Sequence, residues 1–200
     1  MYYDPRIKPI PLAHDPLTAL VVPRPIGWIT TIGRNGVVNL APYSFFNAVA
    51  SNPPFVMFAS AGYKNSQLNA EQTGEFVASL ATYELREEMN ITSATVPAEV
   101  SEPELARLEM APSFAVKPPR VRKSPSAFEC KYLKSVGLPG PDGRPHSFSM
   151  VIGEVVGIYI DDSVIVDGIV DLSRTRPIGR LGGVDQYTVV ETIFKMKRPG

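Results

Sequence analysis

The 200-residue sequence is poor in the side chains that most often bind metals, with one cysteine, Cys130, and two histidines, His14 and His146. A single cysteine excludes a disulfide within the chain, and so few thiol and imidazole groups argue against a zinc site. Cys130 alternates with Phe128 and Tyr132 along a predicted strand, which favours a buried structural thiol over a redox-active one.

Long apolar runs and an excess of charge are also missing from the sequence. No stretch approaches the roughly 20 consecutive apolar residues of a membrane-spanning helix, and no apolar segment follows a basic N-terminus. We therefore expect a cytoplasmic protein with no membrane partner. The 20 basic residues balance the 20 acidic ones, without the basic stripe of a nucleic-acid-binding protein, so we expect no nucleic-acid partner.

The sequence also lacks the motifs of several large enzyme classes. It contains no GxSxG elbow of serine hydrolases, no GxxxxGK[ST] loop of P-loop NTPases and no GxGxxG fingerprint of Rossmann domains. A protein with few candidate acids, bases and nucleophiles can still perform demanding chemistry when a bound cofactor supplies it. The absences therefore direct attention to cofactor binding.

Proline and glycine are abundant, and they divide the chain into short segments. The 20 prolines and 15 glycines favour antiparallel β-strands joined by turns over long helices. The clearest element is a hairpin over residues 26–42, with Asn35-Gly36 in its turn. The pattern predicts further strands at 17–22, 54–60, 75–81, 127–138 and 148–160. It predicts short helices at 65–74, 84–92 and 103–110, and an irregular connection over 112–125.

The last predicted strand, Phe148 to Ile160, has apolar residues at its even positions and two glycines, Gly153 and Gly157, at odd ones. Two glycines on one face predict sharp coiling of the strand or the close approach of another backbone. Glu154 interrupts the apolar face and would need a partner if it were buried. Arg180, a second subunit and solvent at the strand end are the alternatives for it.

Residues 60–66 have the pattern of an anion-binding loop. They run from the end of an apolar strand through a glycine to the start of a predicted helix, where free backbone N–H groups and the helix dipole favour negative charge. Lys64 adds a full positive charge. In the alternative interpretation, Lys64 is a solvated loop residue, and Asn65 or Ser66 merely caps the helix.

Two other segments combine flat apolar surfaces with polar groups. Residues 39–47 include Tyr43, Phe45 and Phe46, and could form either a pocket for a planar heteroaromatic ring or an aromatic plug in the core. Thr30 and Thr31 lie in an apolar strand, where threonines are otherwise ordinary strand-forming residues.

Nine segments together resemble one known family, the flavin reductase-like, FMN-binding split-barrel proteins, and in particular its flavoredoxin branch. They are PRPIGWITT, NLAPYSFFN, SNPPFVMFAS, KNS, EFVASLA, MNITS, SPSAFEC, IGEVV and RPIGRLGGVDQY, in order from about residue 20 to about residue 190. The resemblance implies a mainly β, Greek-key split barrel with a few short helices, in one domain over 1–200 with its core at about 18–195. It also implies a homodimer with non-covalent FMN near the subunit interface.

The same resemblance implies the site residues. The Thr30-Thr31 strand and the loop from Ala41 to Phe46 would line the isoalloxazine ring and ribityl chain, and Ser60 with residues 64–66 would hold the phosphate. The candidate FMN-binding residues are Thr30, Thr31, Ala41, Pro42, Tyr43, Ser44, Phe45, Phe46, Asn47, Ser60, Lys64, Asn65 and Ser66. Where relatives often have Lys-Asp-Thr, this chain has Lys-Asn-Ser, which keeps the positive charge and a hydroxyl.

His146 is the only candidate catalytic residue that the resemblance suggests. In neighbouring branches a Gly-Asp-His precedes the strand that ends in GEVV, whereas His146 follows a proline and lies further from Gly153. Arg176 and Arg180, with Tyr187, form either a cluster that closes over the flavin edge or a solvated loop.

The resulting hypothesis is an FMN-binding oxidoreductase that accepts hydride from NADH or NADPH. It would pass reducing equivalents to a free flavin, a small molecule or a partner protein. The alternative is a non-catalytic flavin-binding electron carrier without a nicotinamide site, and a split barrel that binds heme is a more distant one. The sequence leaves open whether FMN is a prosthetic group or a substrate.

Overall fold

The computed structural model describes residues 1–14, 16–140, 142–143 and 145–200, and for residues 145 and 146 it describes the backbone only. The described chain is mainly β. Its strands are β1 (Arg24–Pro25), β2 (Gly27–Ile32), β3 (Val38–Tyr43), β4 (Phe46–Ser51), β5 (Pro54–Ala61), β6 (Glu75–Leu80), β7 (Met110–Ala111), β8 (Arg120–Val121), β9 (Ser126–Pro139), β10 (Pro145–Ile160), β11 (Ile165–Val166), β12 (Ile169–Val170), β13 (Ile178–Arg180) and β14 (Tyr187–Val189). Its helices are α1 (Leu17–Leu20), α2 (Asn65–Thr73), α3 (Arg86–Ile91), α4 (Glu102–Leu105) and α5 (Leu172–Thr175).

Seven strands form one antiparallel sheet in the order β3-β2-β6-β9-β10-β5-β4. One buried cluster receives side chains from both halves of this sheet, including Ile29 on β2, Phe58 on β5, Phe76 on β6 and Val151 on β10. A sheet whose distant strands share one core must curl around it. The end strands β3 and β4 are not paired with each other, so the barrel is split.

A second core lies on the opposite face of β2, because neighbouring strand residues point in opposite directions. Trp28 packs there with Leu40, Met89 and Ile178, whereas Ile29 faces the barrel interior. The small sheet β1-β13-β14 and helix α3 cover this side. The outer core thus joins the N-terminal and C-terminal parts of the chain.

Most of the predicted elements are present, and the hairpin over 26–42 is confirmed as β2 and β3. Its turn is longer than predicted: residues 33–37 form the loop, and Gly36, not Asn35, has the positive φ of 81°. The helix over 65–74 is confirmed as α2, which ends at Gly74 with φ 78°. The other two helices are shorter than predicted: α3 follows a 3-10 turn over Tyr83–Leu85, and α4 ends at Leu105.

The predicted strand over 17–22 is wrong, because this segment contains helix α1. The buried Arg24 guanidinium binds the carbonyl oxygens of Thr18 and Val21, the latter at 2.9 Å, and of Leu181 at 2.9 Å. These contacts bend the segment back on itself. A strand would need those carbonyl groups for a neighbouring strand.

Strand β10 is buried at Val151, Gly153 and Val155 on its glycine face, and its apolar even face is exposed at Val156 and Ile158, with the other apolar side chains half-buried. Val151 is fully buried, and a Cβ atom at Gly153 would lie 2.4 Å from the Phe76 ring, so the glycine makes room for that side chain. The nearest neighbour at Gly153 is thus an aromatic ring and not the backbone that the sequence predicted, although the Lys131 carbonyl oxygen would also lie 3.0 Å from the added Cβ atom. Val156 and Ile158 are 42% and 58% exposed, and Glu154 is exposed beside them.

Cys130 is fully buried, as predicted, and burial raises the pKa of its thiol far above the ordinary value. Within the part of the chain that the structure describes, no helix combines the length and apolar character needed to span a membrane.

Candidate cofactor-binding site

A cavity of about 490 Å³ opens where the ends of β3 and β5 meet the start of α2. This volume lies in the range of pockets that hold drug-sized ligands and cofactors. Its lining residues are Asn39, Ala41, Pro42, Tyr43, Ser44, Phe45, Ala59, Ala61, Tyr63, Lys64, Asn65, Ser66, Ser93, Ala94, Thr95, Val96, Glu102 and Phe148. Eight of the thirteen predicted FMN-binding residues are among them: Ala41, Pro42, Tyr43, Ser44, Phe45, Lys64, Asn65 and Ser66.

The lining at the start of α2 has the character of an anion site. Lys64 is exposed there and occupies the N-cap position of α2 in extended conformation, and its side chain does not cap the helix. The first N–H groups of a helix have no partner within it, so those of α2 remain available as donors. Gly62, with φ 79°, turns the chain from β5 into this helix.

Hydrogen bonds hold the lining at the start of α2 in place. The Asn39 amide donates to the Ser66 hydroxyl over 2.9 Å. The Ser60 hydroxyl donates to the carbonyl oxygen of Gly62 over 2.9 Å. Burial raises the pKa of Tyr43, which keeps this phenol neutral at physiological pH. These hydrogen bonds position Ser66 and the Gly62 turn at the start of α2.

A second part of the lining has flat apolar walls. Phe45 meets Phe148 edge-on with ring centroids 6.2 Å apart, and the Arg24 guanidinium carbon lies 5.9 Å from the Phe45 centroid. Pro42 and Ala41 extend this surface. Such walls suit a planar ring system, because aromatic and aliphatic faces exclude water from both of its sides.

The sequence did not reveal two parts of the lining. Glu102 is 4% exposed and is the only carboxylate among the described lining residues, and it accepts a 3.0 Å hydrogen bond from the Leu40 N–H group. Residues 93–96 line the cavity beside it, anchored by the buried Thr92, which accepts a 2.9 Å hydrogen bond from the Trp28 indole. Burial raises the pKa of Glu102.

Five predicted site residues are not part of the cavity lining. Thr30 and Thr31 are fully buried in β2, and the Thr31 hydroxyl accepts a 3.2 Å hydrogen bond from Asn69 of α2. Ser60 supports the loop, as described above. The ring of Phe46 fills the space beside Gly27, and Asn47 is exposed on β4 with its side chain bonded to Ala48 N.

Of the three further candidates, Arg176 and Arg180 do not line this cavity. The side chain of His146 lies outside the described residues. Arg176 is paired with Glu84 and Glu191 at the surface. Arg180 binds the Tyr187 hydroxyl, makes no contact with Glu154 and lines a different cavity.

Comparison with known proteins places this chain in a family. Residues 19–173 match the model of the flavin reductase like domain. An uncharacterized protein of Aquifex aeolicus is 38% identical over 170 residues, covering 82% of this chain and 83% of that protein.

Two solved structures have the same fold. Nitrilotriacetate monooxygenase component B from Bacillus cereus is 32% identical, with a TM-score of 0.84 and 90% of each chain covered. A putative flavin reductase with split barrel domain from Shewanella frigidimarina is 24% identical, with a TM-score of 0.80 over 91% of this chain and 89% of that one. The split barrel predicted from the sequence is therefore confirmed, and the chain belongs to the flavin reductase-like family.

Proposed function

We propose that the protein binds FMN in the 490 Å³ cavity and is an NAD(P)H-dependent flavin oxidoreductase. The observation that carries the proposal is the pairing, within one cavity, of an uncapped helix start bearing Lys64 with an apolar wall built on Phe45. FMN has a phosphate and a planar ring, and the lining of the cavity offers a matching partner to each of them. Family membership supports the same cofactor.

Each part of the lining would have a defined task. Lys64 and the first N–H groups of α2 would bind the phosphate, together with Asn65 and Ser66. The surface formed by residues 41–45 would hold the ring and exclude water from it. Thr30, Thr31, Phe46, Asn47 and Ser60 would support the site from the surrounding strands. When bound, FMN would supply the capacity to accept hydride and release electrons, which no side chain offers.

NADH or NADPH is the proposed reductant, and a free flavin, small molecule or protein is the acceptor. The names of the two similar solved structures, a monooxygenase component and a putative flavin reductase, support an oxidoreductase. As parts of the same proposal, the chain acts as one domain over 1–200 and works in the cytoplasm. His146 stays a candidate for the nicotinamide side of the site.

A titration and a bleaching experiment test this proposal. FMN added to flavin-free protein is expected to lose fluorescence with a Kd well below about 1 mM, the range of weak, unspecific association. Failure to bind in that range would contradict the proposal. NADH or NADPH added without oxygen should then bleach the bound flavin rapidly. FMN binding without bleaching by either nucleotide would identify an electron carrier without a nicotinamide site.

We also propose that the protein is a homodimer. The even face of β10 exposes Val156 and Ile158 on neighbouring positions of one strand, and a contiguous apolar surface of this kind is typical of an interface. A twofold dimer is the commonest assembly and buries the same patch on both subunits.

A further inference from the structure

A second cavity, of about 380 Å³, lies between the segment 83–90 and the C-terminal strands β13 and β14. It shares no lining residue with the proposed FMN cavity. Its lining residues are Tyr83, Arg86, Glu87, Met89, Asn90, Ile178, Arg180, Val184, Asp185, Tyr187, Thr188 and Val189. Nothing in the proposed FMN chemistry uses this cleft.

The floor of the cleft is apolar and the walls are aromatic. Met89 and Ile178 are 2% and 5% exposed and belong to the outer core, with Val189 packed against them. Tyr83 and Tyr187 are both 37% exposed and come from opposite sides, one preceding α3 and the other on β14. A floor of this kind favours the flat body of a ring over a strongly hydrated ion.

Each tyrosine holds an arginine in a fixed position. The Arg86 guanidinium carbon lies 4.1 Å from the Tyr83 ring centroid, and its Nη1 donates to the Tyr83 carbonyl oxygen over 2.8 Å. The Arg180 guanidinium carbon lies 4.6 Å from the Tyr187 centroid, and its nitrogens donate to the Tyr187 hydroxyl and to the Val184 carbonyl oxygen. Arginines restrained in this way lose little entropy when they bind an anion.

The charge of Arg180 is not balanced by an ion pair. Arg176, which also lies on the Tyr83 ring but does not line the cleft, is paired with both Glu84 and Glu191. Arg180 is half-buried, and no carboxylate among the described residues pairs with it.

Two carboxylates stand at the rim of the same cleft. Glu87 pairs with Arg86 over 3.3 Å and is 73% exposed, and Asp185 is also exposed, so water and salt weaken the field of both acids. The half-buried cation that remains for a ligand is Arg180.

We infer that this cleft is a binding site for a small organic anion with a planar aromatic body. The ring would lie against the apolar floor, and the negative group would pair with Arg180, assisted by Arg86. An aromatic carboxylate and a nucleoside monophosphate both combine a planar aromatic ring with a negatively charged group. The inference does not depend on the proposed FMN site, because the two cavities have no residue in common.

Calorimetric titration of FMN-saturated protein with benzoate and, separately, with AMP tests the site. Saturation with FMN keeps the first cavity from competing, and the response to each compound distinguishes the two sources of the anion. We expect at least one compound to bind with a Kd below about 1 mM. Arg180→Gln should weaken that binding at least about tenfold, which is the usual effect of losing a charge-assisted contact.

Two further variants make the result decisive. Arg86→Gln, on a different element, should weaken the binding of the same compound by a smaller factor. This variant tests the site even if Arg180→Gln does not fold. Arg176→Gln is the matched control, since this arginine stacks on Tyr83 outside the cleft, and it should change the affinity less than about twofold.

Three results would overturn the inference. These are no binding of either compound to the wild type, binding of the compound by Arg180→Gln as tight as that by the wild type, and a loss of affinity in Arg176→Gln as large as that in Arg180→Gln. Dissociation of a dimer by Arg180→Gln would also overturn it, because the cleft would then be a subunit contact.

Discussion

Lys64 is the residue at which phosphate binding can be separated from ring binding. It is the only cation among the described residues that line the proposed FMN cavity. We predict that Lys64→Ala weakens FMN binding by about ten- to a hundredfold, because a charge-assisted contact contributes ~1.5–3 kcal/mol. Riboflavin has no phosphate, and its affinity should change little. Fluorescence titrations with both flavins measure the contrast.

Lys134→Ala provides the control for this experiment, since Lys134 is an exposed lysine on β9 outside the cavity lining. It should leave both affinities unchanged. If Lys64 is only a solvated loop residue, neither flavin will respond to its loss. Equal losses for FMN and riboflavin would mean that the substitution disturbed the ring pocket or the fold.

Glu102 is predicted to make the stability of the fold depend on pH. Burial raises its pKa in the folded chain above the ordinary value of 4.5, so the folded state binds this proton more tightly than the unfolded state does. The stability that this proton contributes is fully present below pH 4.5 and is lost as the pH rises through the folded pKa. Glutamine does not titrate but can still accept the hydrogen bond from Leu40 N.

We therefore predict that the unfolding free energy of the wild type, minus that of Glu102→Gln, decreases as the pH rises above 4.5. Urea denaturation of both proteins across a series of pH values measures this difference. A difference that stays constant or grows with pH would show that burial does not disfavour the ionised form of Glu102 in the folded state.

At the scale of elements, the sequence predicted those structures whose signals are local. The hairpin of β2 and β3 and the helix α2 carry their turn and capping residues within a few positions of their ends, at Gly36 and Gly74. The segment 17–22 has strand-like residues, but its structure is decided by Arg24 and by the Leu181 carbonyl group, which lies far away in the sequence. Local preference is a weak guide where such a contact dominates.

The proposed site shows the same limit. The segments 41–45 and 64–66 reach the cavity because each directly ends a strand or starts a helix, which the pattern revealed. Glu102 and residues 93–96 arrive through long-range packing, and Glu102 in the sequence is simply an acidic residue in the first turn of a helix. The assignment of all these residues to FMN stays a prediction.

Gly153 determines how closely β10 can pack on its neighbour. A Cβ atom at this position would lie 2.4 Å from the Phe76 ring and 3.0 Å from the Lys131 carbonyl oxygen. We predict that Gly153→Ala destabilises the fold by about 1–3 kcal/mol, the usual cost of overpacking a core. Gly137→Ala on the adjacent strand β9 is the control, because nothing lies within 4 Å of its added Cβ atom.

Urea denaturation curves measure both variants, and only Gly153→Ala should shift its midpoint substantially to lower urea. Phe76→Leu combined with Gly153→Ala should destabilise less than the sum of the two single changes, since the smaller side chain frees the space. Equal destabilisation by the two glycine substitutions would mean that the loss of glycine itself, and not a clash with the Phe76 ring, causes the effect.

At the scale of the whole molecule, the curled sheet puts its apolar side chains on both of its surfaces. The inner face closes around Phe58 and Phe76, and the outer face of β2 is covered by α3 and the C-terminal strands. On the even face of β10, Val156 and Ile158 are exposed in the described structure, although the sequence makes this face apolar. The period-two pattern located this face correctly but did not indicate that it is exposed, because alternation alone does not distinguish a core from an interface.

A second copy of the chain is the proposed cover for this face. We predict that the wild type has about twice the 21.8 kDa chain mass by light scattering at micromolar concentration. Ile158→Glu should shift it towards the monomer, because an unpaired carboxylate is costly to bury in an interface. Phe114→Glu is the control, since Phe114 is 99% exposed in a loop between β7 and β8. A monomeric wild type would contradict the dimer, and dissociation by Phe114→Glu alone would show that the subunits meet elsewhere.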